Sequence, residues 1–178
     1  MARSPLPVDP IAEARRQWIA HGWADAAEGM AAVTSVMRAQ QLLLAEIDRV
    51  LRPLPLTFAR FEMLRLLAFT REGRMPMSSA TARLQVHPAS VTSTVDRLER
   101  DGLVLREPHP HDGRATMLVL TDAGRARAEE ATALLNEQVF SRGALGSGEY
   151  TPLVRSLARL RLEAGDFAEP EPAPESLL

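Results

Sequence analysis

Between Pro88 and Leu120 the apolar period changes once, from helical to strand spacing, and Gly102 stands at the change. Val91, Val95 and Leu98 recur at intervals of three and four residues. That spacing puts them on one side of a helix, with Pro88 in its first turn. Gly102 is the residue type that closes such a helix. Leu103–Glu107 then reads as a strand, Pro108–Gly113 as a polar turn and Ala115–Leu120 as a second strand. A chain with this pattern must seat an amphipathic helix directly beside a β-hairpin.

The segments before and after extend the pattern. Thr57 caps a helix to about Arg71, with Phe58, Phe61, Leu64 and Ala68 on one side. Met75–Met77 has room only for a strand stub. Ser78 or Ser79 then caps a short helix ending near Leu84, and Gln85-Val86-His87 connects it to Pro88. Three helices followed by a hairpin make a winged helix-turn-helix. Two further helices precede this unit, Pro10–Ala20 and about Ala26–Leu51, the second capped by Asp25 and ended by Pro53 and Pro55. Thr121 caps another long helix to about Phe140. After a Gly-rich break, a last helix carries Tyr150, Leu153, Val154, Leu157 and Leu160 as a stripe and stops at Gly165. Val33, Val36, Met37, Leu43, Leu44, Ile47 and Leu51 form a similar stripe on the long N-terminal helix. One small domain cannot cover both stripes, so they call for a partner. The tail 166–178, with four acids and three Pro, is expected to be disordered.

Composition removes several classes of function. Cys is absent, which excludes disulfides, Cys-ligated zinc and thiol redox sensing. No apolar run reaches the ~18 residues of a membrane span. Met1–Pro10 lacks the pattern of a signal peptide, so a cytoplasmic location is expected. No nucleophile, base and orienter converge in the pattern, and no Gly-rich phosphate loop occurs. His87, His109 and His111 lack the acid-rich spacing of a zinc site. The reading is therefore not an enzyme, with no cofactor and no metal. The formal charge of −2 is unevenly spread. Residues 74–127 hold 8 Arg against 6 acids, whereas 128–178 hold 4 Arg against 9 acids.

The mildly basic middle contains the residues that point to DNA. Ala89, Ser90, Thr92, Ser93, Thr94 and Arg97 fall outside the apolar side of the Pro88 helix. Small hydroxyl side chains near a helix N-terminus allow close approach to a major groove and donate to phosphates or base edges. An ordinary Ser/Thr-rich surface helix has the same pattern. Arg114 at the hairpin tip suits a narrow minor groove, and Asp112 stands two residues before it to hold the guanidinium. A solvent-exposed turn with an incidental Asp–Arg pair is the competing account.

Three strings together resemble the MarR family of winged-helix regulators. They are Ala89-Ser90-Val91-Thr92-Ser93-Thr94-Val95-Asp96-Arg97-Leu98-Glu99-Arg100-Asp101-Gly102-Leu103-Val104, then Asp112-Gly113-Arg114, then Leu120-Thr121-Asp122-Ala123-Gly124. The resemblance implies a mainly α fold with a small β-hairpin, a winged helix-turn-helix with N- and C-terminal dimerisation helices. Its segments would be an N-terminal extension (1–25), a dimerisation helix (26–56), a DNA-binding lobe (57–121), C-terminal dimerisation helices (122–165) and the acidic tail (166–178). It implies DNA contacts from Pro88 to Thr94, from Arg97 and from Arg114 oriented by Asp112. A two-fold dimer would set two recognition helices roughly 34 Å apart on a near-palindromic duplex. The family also binds small aromatic or anionic effectors, for which Trp18, Trp23, Arg38, Phe58, Arg60 and Phe61 are the candidates. Plain core packing is the competing account of these aromatics. Glu62 and Thr94 depart from the subgroup that responds to urate. A winged-helix module that binds protein instead of DNA would share the fold.

Overall fold

The computed structural model describes residues 6–84, 88–110, 112–142 and 148–168. The described chain divides into two compact units, 1–46 and 47–178. The first holds α1 (Pro10–Ala20) and most of α2 (Ala24–Leu51). Asp9 caps α1 by accepting from the Ile11 N–H at 2.9 Å, and Pro10 occupies the first turn. Arg15 of α1 pairs with Glu28 of α2. Ala27 is buried, while Val33, Val36, Met37, Leu42, Leu43 and Leu44 lie exposed along α2.

The second unit is built around α3 (Phe58–Phe69), β1 (Arg74–Pro76), α4 (Met77–Leu84), α5 (Pro88–Arg100), β2 (Val104–His109), β3 (Asp112–Leu120), α6 (Asp122–Leu135) and α7 (Tyr150–Glu163). The mainly helical winged fold expected from the sequence is the one observed. Thr57 caps α3 through its hydroxyl, as expected. Met63, Leu64 and Leu67 of α3 meet Val91, Val95 and Leu98 of α5 in one core, joined by Val104, Leu118, Leu51 and Leu135. Each of these Leu side chains is fully buried and contributes about 2 kcal/mol.

The expected stub and hairpin share one sheet. It has three antiparallel strands in the order β1-β3-β2. The stub β1 pairs with β3, Arg74 opposite Val119 and Pro76 opposite Met117. The hairpin strands also run further towards the tip than expected, to His109 and from Asp112. Pro108 ends no strand because β2 is an edge, where a missing N–H breaks no ladder bond. α4 begins at Met77 directly from β1, so Ser78 and Ser79 lie inside its first turn instead of capping it. Beyond α6 the chain continues as a π-helical turn, Asn136–Phe140, in place of the unbroken helix expected. The acidic tail begins with order: Asp166 accepts from Arg161 at 2.6 Å, and that guanidinium lies over Phe167. Residues 169–178, and the connection Gln85-Val86-His87, fall outside the described residues.

Two joints fix the hairpin to the helices. The end of α5 is a Schellman turn, with Gly102 at φ +70°. Its bonds run from Leu103 N to Leu98 O and from Gly102 N to Glu99 O, both 2.9 Å. The start of α6 then locks onto this turn. The Thr121 hydroxyl accepts from Gly124 N and donates to Gly102 O, each at 2.9 Å.

Candidate nucleic-acid interface

α5 buries Val91, Val95 and Leu98 and leaves its other sides to solvent. Ala89, Ser90, Thr92, Ser93 and Arg97 are exposed, and Thr94 is half-buried. Pro88 opens the helix. The hydroxyl residues therefore cluster in the first turns, at the positive end of the helix dipole.

The electrostatics of this helix are set by arginines from elsewhere. Asp96 and Glu99 are both held by Arg106 of β2, Asp96 at 2.6 Å. Asp101, just past the helix end, is held by Arg60 of α3. The three carboxylates on and beside α5 are thus neutralised. Arg97 and Arg100 have no partner among the described residues. The outward side of α5 consequently carries uncompensated positive charge, although the whole chain is slightly acidic.

At the hairpin tip, Asp112 acts differently from the expectation. Its Oδ1 accepts from the backbone N–H of Arg114 at 3.0 Å and makes no bond to the guanidinium. The carboxylate shapes the turn, and the exposed guanidinium of Arg114 has no partner among the described residues. Arg114, Asp112 and Thr116 line a shallow cleft of about 340 Å³ with Met77 and Ser78 at the start of α4. His109 is half-buried in β2, and His111 lies outside the described residues. Among the described residues no group of three or more His, Asp or Glu could hold a metal ion.

The six effector candidates fall in different places. In the first unit, Trp18 and Trp23 pack edge to face at 5.3 Å, and His21 stacks on Trp23. Arg38 donates to Gln41 at 3.0 Å. In the second unit, Phe61 belongs to the core and Phe58 stacks against it at 6.1 Å. Arg60 is only 9% exposed; besides its pair with Asp101 it donates to Pro55 O at 2.8 Å. Arg60 and Phe61 therefore have structural occupations of their own. Arg60 and Arg106 act through contacts across 41, 10 and 7 residues, which no periodicity in the sequence reveals.

The model of the MarR family matches residues 56–116. An HTH-type transcriptional regulator of Mycobacterium leprae is 30% identical over 112 residues, covering 63% of this chain and 77% of that protein. The structure of Sco5413, a MarR family transcriptional regulator from Streptomyces coelicolor, is 50% identical with a TM-score of 0.72, covering 80% of this chain and 99% of that one. The chain belongs to the MarR family. MarR relatives include the repressor CouR, solved bound to a 23-mer DNA duplex, at 28% identity and a TM-score of 0.65 over 71% of this chain and 89% of that one. The repressor YetL of Bacillus subtilis is 35% identical over 75 residues; the match spans 42% of this MarR chain and 45% of that protein. Among the described residues no helix is long and apolar enough to cross a membrane.

One titration separates packing from charge in this MarR lobe. Glu62 is half-buried in α3, and burial raises its carboxyl pKa above the ordinary value. A raised pKa in the folded state means that the fold binds this proton more tightly than the unfolded chain does. Its contribution is then present at low pH and lost as pH rises through the folded value. Glu62→Gln is expected to raise Tm at neutral pH and to leave it unchanged below the carboxylate range. An equal shift at both pH values, measured by calorimetry, would show that the charge is not the cause.

Proposed function

We propose that this chain is a sequence-specific double-stranded DNA-binding regulator, a repressor acting as a homodimer on a near-palindromic operator. The observation that carries the reading is the charge pattern of α5. Its acids Asp96 and Glu99 are engaged by Arg106, and the neighbouring Asp101 by Arg60, while among the described residues Arg97 and Arg100 have no partner. In this reading Pro88, Ala89, Ser90, Thr92, Ser93, Thr94 and Arg97 meet the major groove and its phosphates. Arg114 enters the adjacent minor groove from a turn shaped by Asp112. Residues 57–121 form the DNA-binding lobe, and 26–56 and 122–165 supply the dimer contacts.

The exposed apolar residues support the dimer. Val33 is 65% and Leu43 57% exposed on α2, and Val154 is 63% and Leu160 58% exposed on α7. Apolar stripes of this length in a lone chain point to a protein interface. Sedimentation is expected to give a dimer, and a monomer at micromolar concentration would contradict the assignment. A small aromatic or anionic effector would act by stabilising a form unable to span both half-sites.

The test is a fluorescence-anisotropy titration of duplexes from the DNA flanking the protein's own gene. Affinity for one duplex is expected to exceed that for random sequence and to fall steeply with salt, as phosphate contacts require. Equal, weak affinity for every duplex would favour a protein-binding winged helix.

A further inference from the structure

A winged helix that reads two grooves needs a fixed distance between its helix and its wing tip. On the proposed DNA-binding reading, we propose that Arg106 is the positioning residue that sets this distance, by clasping Asp96 and Glu99 of α5 from strand β2. Arg106 sits mid-strand, opposite Leu118 in the ladder. Its Nη2 donates to Asp96 Oδ1 at 2.6 Å and its Nη1 donates to Glu99. The two carboxylates stand three residues apart on one side of α5. A planar guanidinium gripping both resists sliding of the hairpin along the helix and rotation of the helix beneath it.

Leverage makes this contact matter. β2 continues three residues beyond Arg106 to His109, so the tip stands ~10 Å past the clasp. A tilt at the strand base grows along that length. Among the described residues a second ion pair of the hairpin, Arg74 with Glu107 at 3.5 Å, joins it to β1 and not to α5. Partial burial lowers the Arg106 pKa, and the bonds and charges of Asp96 and Glu99 outweigh that effect, for a net rise.

Positioning and simple charge masking are separable. Arg106→Met breaks the clasp and bares two carboxylates near the duplex. The double variant Asp96→Asn/Glu99→Gln breaks the ionic clasp and removes those charges. All three partners are partly exposed, so both variants are expected to fold. With full-length protein and the operator duplex, both are expected to lose about tenfold in affinity. In either background a further Arg114→Ala should cost less than about threefold, against tenfold or more in the wild type. Wild-type affinity in the double variant, or an undiminished cost of Arg114→Ala, would overturn the proposal. Amide exchange in the free protein gives a readout independent of DNA. Exchange in β2 and β3 should quicken about tenfold in both variants while α3 stays protected. Unchanged exchange there would overturn the proposal even if DNA binds. If the wild type binds no duplex, the DNA-binding reading fails and the exchange result alone decides whether Arg106 holds the hairpin.

Discussion

Gly124→Ala should destabilise the protein by roughly 3 kcal/mol or more, the upper end for overpacking a well-filled site. A Cβ at this position would meet the carbonyl oxygen of Leu103 well inside contact distance, its carbonyl carbon at 3.0 Å and Leu120 Cδ1 at 2.8 Å. Two of these atoms are backbone and cannot swing away. Relief would require moving the start of α6 off the joint between α5 and β2, where Thr121 bonds both Gly124 and Gly102. The expected fall in Tm is on the order of 10 °C for a chain of this size. A change within about 2 °C, measured by calorimetry on the purified protein, would show that the α6 joint yields easily.

Arg114→Ala should reduce operator affinity by roughly ten- to a hundredfold with little change in Tm. The side chain is exposed and has no partner among the described residues, so its removal leaves no buried group of theirs unsatisfied. The turn keeps its shape because Asp112 holds the backbone N–H of residue 114, which the substitution retains. The proposed dimer would present two such tips, which sets the upper end of the range. Titration of the same duplex with both proteins, with sedimentation as a control, checks this. Undiminished affinity would remove the minor-groove role from Arg114.

Much of this architecture is legible in the residues. Val91, Val95 and Leu98 mark the buried side of α5 because helical periodicity records burial directly. Gly102 and Thr121 mark the two joints because a left-handed turn and a helix cap each demand a narrow set of side chains. The strand stub was legible to within one residue, but its partner was not, because three residues carry no period and only packing pairs Arg74–Pro76 with β3. Pro108 and His109 looked like turn residues because the edge position that tolerates Pro108 is a property of the sheet, not of the local sequence. The candidate site was legible in the residues proposed for it that lie exposed, Ser90, Ser93, Arg97 and Arg114, but not in what surrounds them. Arg106 and Arg60 neutralise acids that lie distant along the chain, and such pairs arise only when strand and helix are packed.

The most direct test of the central claim is protein footprinting by amide exchange, with and without the operator duplex. Protection is expected in two stretches at once, 89–97 of α5 and 105–116 of the wing, with Asp96 and Arg106 included in the protected zones. Protection elsewhere on the molecule, with both stretches exchanging as in the free protein, would contradict the account.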